Sequence, residues 1–251
     1  LPESYSLDST KTYPVLYWQD GQNLFDPKVS YNKHPLEMHM AMQKNNQEFI
    51  VVGIWNTDLR YREYMPNKIY NKLNKRQQKL LRKEYKGSAL GDNYASFIVK
   101  ELKPYIDSQF RTSKDKAFTW IGGASMGGLI SWYSAFEYPE VFGKVLAIST
   151  HWPLSVRNNH PEFLEAYNKY MSAFENKKLN IDFYFDHGTK NIDAWYSHFQ
   201  KSLDQQIKQI GNKHYTSLVF DGASHDELDW GKRLSIVLAF LSRFSSSIIS
   251  L

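Results

Sequence analysis

The sequence contains no cysteine. That absence excludes disulfide bonds, a cysteine nucleophile and thiolate metal sites, and it is compatible with any redox compartment. No run approaches eighteen apolar residues, so no membrane-spanning helix is predicted. The first ten residues, LPESYSLDST, lack the basic and apolar regions of a signal peptide. Because they begin without an initiator methionine, we expect a processed chain, which would be periplasmic or secreted if an upstream export signal has been removed.

The chain has enough apolar residues for a large core, since 42% of its 251 residues are hydrophobic and 16% are aromatic. Its net charge of +5 comes from one segment, residues 60–86, which contains ten basic and two acidic residues. The rest of the chain therefore carries about −3. We interpret the segment as a solvated helix face, with an acidic-partner site as the weaker alternative. Tyr70 and Tyr85 are the only aromatic residues in 68–86. Because proteins that bind single strands stack the bases on aromatic side chains, this small number disfavours nucleic-acid binding.

Short β-rich runs alternate with helical patterns along the chain. The runs predict strands at 13–19, 49–55, 117–122, 144–149, 181–186 and 217–220. Apolar residues at three-four spacing predict helices at 92–110, 126–139, 193–210 and 234–244. This alternation predicts an α/β fold in which helices cover both faces of a mostly parallel sheet. We find no repeat or linker and expect one domain, 1–251, with a helical excursion around 152–178 whose first part, 152–175, forms a pocket wall.

A glycine-rich turn, TWIGGASMGGLISW, joins the third predicted strand to a helix. Ser125 lies in this turn as the centre of a Gly-x-Ser-x-Gly pattern, which is the context of a nucleophile elbow. Glycine is needed where a side chain would clash with the neighbouring strand and helix. The helix start also directs free amides at the site, and Met126 supplies the first of them. The alternative is a tight turn with an incidental serine.

A serine nucleophile on this fold requires an acid and then a histidine later in the chain. His225 follows the last predicted strand and is the expected base, whereas His151 is the rival, with a pocket-lining role the more plausible for it. Asp186 and Asp193 both follow the fifth strand. We favour Asp193, because Asp186 ends an apolar run and is expected to bind local backbone amides. Helix capping is the alternative role of Asp193.

The second oxyanion-hole amide is expected after the first strand, in the sequence Asp20-Gly21-Gln22. Gly21 allows the turn that directs the Gln22 amide inward, although an ordinary Asp-Gly turn explains the pattern equally well. No pair of histidines has metal-ligand spacing beside a set of carboxylates. We therefore expect neither metal nor cofactor.

Four ordered motifs, YPVLYWQDGQNLFD, GASMGGLISWYSAFEYPEVFGKVLAIS, GTKNID and GASH, resemble the "Putative esterase" family of α/β-hydrolases. That group includes esterase D, feruloyl and enterochelin esterases, and the resemblance runs from Leu1 to about Phe244. It implies Ser125 as nucleophile, His225 as base, and the amides of Gln22 and Met126 as the oxyanion hole. The stretch NTDLRYREYMP resembles a family segment near the substrate pocket. The candidate substrate contacts are Arg60, Arg62 and Tyr64 from this stretch, with His151 and Trp152 after the fourth strand.

Together these features predict a serine esterase that acts on a small-molecule or carbohydrate-linked ester through an acyl-enzyme. Acyl transfer is the alternative, because the same acyl-enzyme serves both reactions. A non-catalytic binding protein on a hydrolase scaffold is the second alternative. We expect no nucleic-acid or membrane partner.

Overall fold

The structure, a computed structural model, describes residues 1–210 and 214–242. Six parallel strands form one sheet in the spatial order β2, β1, β3, β4, β5, β6. The strands are β1 (Val15–Gln19), β2 (Ile50–Ile54), β3 (Thr119–Ala124), β4 (Lys144–Ile148), β5 (Asp182–Gly188) and β6 (Tyr215–Phe220). Each overlaps one of the six predicted runs, so the predicted parallel α/β architecture is confirmed.

Helices occupy the connections between the strands. They are α1 (Met38–Lys44), α2 (Arg60–Glu63), α3 (Asn67–Tyr70), α4 (Lys75–Glu84), α5 (Gly91–Phe97), α6 (Lys103–Gln109), α7 (Met126–Glu137), α8 (Leu164–Met171), α9 (Tyr196–Gln209) and α10 (Glu227–Ser242). A π-helical stretch, Ile98–Leu102, joins α5 to α6. Within the described residues, no helix is long and apolar enough to cross a bilayer.

The sheet separates two apolar cores. In β1, Val15 and Tyr17 face the core that α5 to α9 cover, whereas Leu16 and Trp18 face the core that α1 and α10 cover. Because both faces are buried, the inner strands are apolar without alternation, as parallel sheets require. The carboxyl ends of all six strands meet at one edge, and the loops there build the site described below.

Helix α10 begins at Glu227, earlier than its predicted start at Leu234. Its first turn carries the acidic residues Glu227 and Asp229, which are favourable at a helix N-terminus but interrupt the apolar pattern. Residues 243 and 244 of that prediction lie outside the described residues.

The basic segment 60–86 contains α2, α3 and α4, and Asn74 caps α4 in a reciprocal capping box with Gln77. Arg60 and Arg62 are half-buried. The exposed basic residues are Lys68, Lys72, Lys75, Arg76, Lys79, Arg82, Lys83 and Lys86. These exposures agree with the solvated face expected for the segment.

Candidate active site

Ser125 lies in the turn between β3 and α7, with φ of 59° and ψ of −126°. The backbone of a residue other than glycine is strained in this region of φ/ψ space. Such a conformation persists only where the surrounding structure holds it. The Ser125 amide donates to the Ile148 carbonyl at 2.9 Å, and the Ser125 carbonyl accepts from the His151 amide at 3.1 Å. The two hydrogen bonds fix the strained residue from both sides, and its hydroxyl lines a cavity.

Gly123 and Gly127, on either side of Ser125, lie too close to neighbouring atoms to carry a side chain. A Cβ on Gly123 would lie 2.8 Å from the backbone carbon of Gly127, and a Cβ on Gly127 would lie 2.9 Å from Cβ of Gln19. Real Cβ atoms essentially never come so close to other heavy atoms. The turn therefore packs directly on the end of β1.

One chain of hydrogen bonds joins Ser125, His225 and Asp193. The Ser125 Oγ lies 2.8 Å from His225 Nε2, and His225 Nδ1 lies 2.5 Å from Asp193 Oδ1. An ionised carboxylate only accepts, so Nδ1 carries the imidazole proton and Nε2 accepts from the serine. This is the tautomer that a general base requires.

The carboxylate of Asp193 is fully buried and receives two further hydrogen bonds on Oδ2. The Ser149 hydroxyl and the Gly188 amide each donate to it at 2.6 Å. Burial alone would raise the pKa of Asp193, but hydrogen bonds from His225, Ser149 and Gly188 hold it below its usual value. These partners leave Asp193 no helix-capping role, and α9 begins at Tyr196 without a side-chain cap.

Asp186 lies on β5 and binds a different partner from the one expected. Its carboxylate pairs with Arg233 of α10, at 3.0 Å from Nη2, and accepts from the Tyr184 hydroxyl at 2.9 Å. The predicted role in binding local backbone amides is not observed, because the backbone amide that donates to Oδ1, at 3.3 Å, is that of Ser149, 37 residues earlier in the chain. The buried arginine determines the orientation of Asp186, and no sequence pattern indicates it.

The same arginine reaches the site through Ser149. The Ser149 hydroxyl accepts from Arg233 Nη2 at 2.7 Å and from Trp230 Nε1 at 3.1 Å. With both lone pairs occupied, its only proton is left for Asp193. Sequence reasoning missed Ser149, although its place directly after β4 indicates the carboxyl edge of the sheet.

The amides of Gln22 and Met126 are both free to bind an anion. Within residues 1–210 and 214–242, neither amide donates a hydrogen bond. Met126 is the first residue of α7, where the helix dipole favours negative charge. Gln22 lies in a 3₁₀ turn, Gly21–Asn23, directly after β1.

The Gln22 loop turns at Asp20 rather than at Gly21. Asp20 has the left-handed conformation, with φ of 56°, and Gly21 is needed because its Cβ would lie 2.3 Å from the carbonyl carbon of Gly53. Arg60 binds both oxygens of Asp20 at 2.7 Å, and the Asn56 amide donates to Oδ1 at 2.6 Å. Burial acts to lower the pKa of Arg60, but the Asp20 carboxylate raises it above its ordinary value. This ion pair fixes the loop.

A cavity of about 460 Å³ opens onto the pair Ser125 and His225. Arg60 and Gln22 line it, whereas the other candidate contacts Arg62, Tyr64, His151 and Trp152 do not. Aromatic side chains in the lining are Trp18, Tyr31, Tyr61 and Trp230, and the amide side chains are Gln19, Gln22, Asn23, Asn32 and Asn56.

Two of the four candidates outside the lining come from the stretch NTDLRYREYMP. The Arg62 guanidinium donates to the Ser88 carbonyl at 3.0 Å, which directs it away from the cavity. Tyr64 is fully buried, and its hydroxyl accepts from the Asp20 amide at 3.2 Å. Tyr64 thus stabilises the Gln22 loop through the Asp20 amide and does not line the cavity.

The other two candidates, His151 and Trp152, are buried behind the site. Trp152 packs edge-on against Trp132 and donates to Gln200 at 3.0 Å. His151 contacts Tyr196 and the Ser155 carbonyl, and Ser125 Oγ is bonded to His225 instead. The rival base is therefore not hydrogen-bonded to the serine hydroxyl.

The helical excursion contributes little to the cavity. Of the predicted wall 152–175, only Val156 lines it, because α8 packs on α7 through Tyr170 and Trp132. The structure instead builds much of the opposite wall from residues 22–36, after β1. Sequence reasoning missed this wall, since the segment has no periodic pattern.

The described residues contain no cluster of three histidine, aspartate or glutamate side chains that could hold a metal ion.

Three comparisons relate the chain to known proteins. The family model "Putative esterase" matches residues 1–241. The "Uncharacterized protein YbbA" of Bacillus subtilis (strain 168) is 29% identical over 153 residues, which cover 61% of this chain. The match covers 55% of YbbA, so the chain spans about half the length of this relative.

Two solved structures have the same fold. An IroE-like serine hydrolase from Shewanella oneidensis is 20% identical, with a TM-score of 0.70 over 100% of this chain and 75% of that chain. A ferulic acid esterase is 21% identical, with a TM-score of 0.61 over 97% of this chain and 90% of that one. At these identities the likeness shows the fold, whereas the family model, which matches nearly the whole described chain, shows the family. The chain belongs to the "Putative esterase" family and has the α/β-hydrolase fold.

Proposed function

We propose that the chain hydrolyses carboxylic esters through an acyl-enzyme intermediate, with Ser125 as nucleophile, His225 as general base and Asp193 as the acid that orients it. The observation that carries this proposal is the chain of hydrogen bonds from Ser125 Oγ through His225 to Asp193, at 2.8 and 2.5 Å. The serine end of that chain opens onto the cavity, and the acid end is buried. Nucleophilic catalysis requires this arrangement, because the substrate must reach the serine whereas the acid only orients the histidine.

In the first half-reaction, Ser125 Oγ attacks the ester carbonyl carbon and its proton passes to His225 Nε2. The carbonyl oxygen becomes an oxyanion, which the amides of Gln22 and Met126 stabilise by hydrogen bonds. The intermediate then collapses, the bond to the alcohol breaks, and His225 returns the proton to the leaving oxygen. The products of this half are the free alcohol and an acyl ester on Ser125.

In the second half-reaction, water takes the place of the alcohol. His225 Nε2 removes a proton from the water as its oxygen attacks the acyl carbon, and the same two amides stabilise the second oxyanion. His225 then gives the proton to Ser125 Oγ as the acid is released. Throughout, the Asp193 carboxylate holds Nδ1–H and stabilises the imidazolium without accepting the proton.

We propose a small-molecule ester as the substrate. The cavity, of about 460 Å³, has the size of a small-molecule site and combines aromatic walls with carboxamide side chains. The ferulic acid esterase, which has the same fold, supports this class of substrate.

The test is the hydrolysis of a short p-nitrophenyl ester by the wild type, Ser125→Ala and His225→Ala. Each variant should lower kcat by several orders of magnitude, and the double variant should lose little more, because the residues act as one unit. The matched control is Ser134→Ala, which removes a buried hydroxyl of α7 that has no partner among the described residues. Turnover by Ser125→Ala equal to that of the control would rule out the proposed nucleophile.

A further inference from the structure

The ring of Tyr196 contacts two imidazoles, those of His151 and His225. Its centroid is 5.7 Å from that of His151 and 5.7 Å from that of His225, edge to face in both pairs. The Tyr196 hydroxyl is 2.7 Å from His151 Nδ1 and 3.4 Å from His225 Nδ1. Tyr196 and His151 are both fully buried, and the mechanism above uses neither side chain.

The protons in this group have one consistent arrangement. His151 Nε2 lies 3.0 Å from the Ser155 carbonyl, which only accepts, so Nε2 carries the proton of this imidazole. Burial and the neighbouring His225 lower the pKa of His151 to about 3, so the ring is neutral and Nδ1 is a bare acceptor. The Tyr196 hydroxyl must therefore donate to His151. Its oxygen lone pairs remain for His225.

This arrangement gives the proton on His225 Nδ1 two acceptors. Asp193 Oδ1 is the near acceptor at 2.5 Å, and the Tyr196 oxygen is the far one at 3.4 Å. We propose that Tyr196 is a positioning residue, whose hydroxyl is oriented by His151 and holds the imidazole of His225 between Ser125 and Asp193. The inference rests on the proposed function, since it gives Tyr196 a role through His225.

The segment that carries His151 also contacts the other two members of the triad. The Ser149 hydroxyl donates to Asp193, and the His151 amide donates to the Ser125 carbonyl. A neutral histidine buried at this point needs both ring nitrogens bonded, and Tyr196 supplies one of the two partners. The segment after β4 thus connects all three triad residues to one rigid strand end.

The sign of the expected effect follows from the orientation of the hydroxyl. The Tyr196 oxygen presents negative partial charge to His225, which favours the imidazolium. The titratable or aromatic groups around His225 are His151, Asp193, Tyr196, Asp226, Glu227 and Trp230. A variant that removes only the Tyr196 hydroxyl keeps all the other groups in the chain, so a change at His225 reports the loss of that hydroxyl and of its hydrogen bond to His151.

The experiment compares Tyr196→Phe with Tyr167→Phe in the full chain. Tyr167 is an equally buried tyrosine whose hydroxyl donates to the Trp152 carbonyl at 2.7 Å, away from the triad. Tyr196→Phe should lower kcat about 3- to 10-fold with KM unchanged, the size expected for one long hydrogen bond. In ¹⁵N-histidine NMR spectra, the Nδ1–H resonance of His225 should move in Tyr196→Phe and keep its wild-type position in Tyr167→Phe.

Tyr167→Phe should change the melting temperature only. The proposal is overturned if the Nδ1–H resonance of His225 moves no further in Tyr196→Phe than it does in Tyr167→Phe. The NMR measurement needs no turnover, so it tests the position of Tyr196 independently of the reaction. An active Ser125→Ala variant would contradict the proposed function, whereas an unchanged Nδ1–H resonance of His225 in Tyr196→Phe would contradict this inference.

Discussion

The carboxylate of Asp186 lies 3.0 Å from Nη2 of Arg233, and both side chains are almost completely buried. Asp186 is therefore the partner of a buried cation, whereas Asp193, seven residues later, contacts the imidazole of His225. Two carboxylates from one short segment thus have separate partners. Because the partners differ, we expect substitutions of the two aspartates to have different consequences.

Asp193→Asn should lower kcat by up to about 10⁴-fold, since an amide at this position favours the wrong tautomer of His225. The free energy of unfolding should change little, because the oxygen of the asparagine amide still accepts from Ser149 or Gly188. The measurement is kcat on one p-nitrophenyl ester, with the melting temperature of the same sample. A loss of a few fold would instead indicate a Ser-His pair that works without the acid.

Asp186→Asn should lower the free energy of unfolding by about 3–5 kcal/mol, because it leaves the charge of Arg233 buried without its partner. The folded protein should retain most of its kcat. A small loss is expected because Arg233 also donates to the Ser149 hydroxyl, which binds Asp193. Urea unfolding and kcat, both measured well below the melting temperature, separate the two effects. If kcat falls further here than in Asp193→Asn while stability is unchanged, the acid of the triad is Asp186.

Gly123→Ala should prevent stable folding or lower the melting temperature strongly, since the added Cβ meets the backbone of Gly127 at 2.8 Å. Gly231→Ala is the matched substitution in α10, where the nearest atom to the added Cβ is 3.4 Å away. There we expect a gain of about 0.5–1 kcal/mol from helix propensity. Thermal unfolding of both variants checks the pair, and a tolerated Gly123→Ala would contradict the tight turn.

His151 should make stability depend on pH. Its pKa is about 3 in the folded chain and about 6.5 in an unfolded one, so only the unfolded chain binds this proton between those values. The free energy of unfolding should therefore fall as pH decreases below about 6.5, by at most about 1.4 kcal/mol per unit from this group. Above pH 6.5 His151 should contribute no pH dependence.

The check is urea unfolding of the wild type, His151→Gln and His198→Gln at about pH 7.5 and about pH 5. His198 is exposed and serves as the control. The difference in stability between the two pH values should shrink in His151→Gln and stay as in the wild type in His198→Gln. An unchanged difference in His151→Gln would show that another group causes the pH dependence.

The basic face of α4 should not affect the reaction of a neutral ester. Lys75, Arg76 and Lys79 are exposed and do not line the cavity, so salt screens their charges from the reacting atoms. We expect the triple change to glutamine to leave kcat/KM for a neutral ester within about twofold. A much larger loss with the neutral ester, at unchanged melting temperature, would contradict the solvated face.

The sequence alone determined the six strands, their parallel arrangement and the elbow at Ser125. These features depend on short-range rules, because apolar periodicity and steric crowding act between residues that are near neighbours in the chain. Ser125 and Met126 could be singled out for this reason. His225 followed from the order of the elements, since the last loop of a parallel sheet returns to the edge where the elbow lies.

Only the tertiary structure decided which side chains meet at that edge. Asp193 and His225 are 32 residues apart, Ser125 and His225 are 100 apart, and no local pattern records their distances. Asp186 is directed away by Arg233, 47 residues later, and His151 is turned from Ser125 Oγ towards Tyr196, 45 residues later. Each of these choices is a competition among hydrogen-bond partners, and folding settles it by bringing one partner within about 3 Å and burying both groups from water.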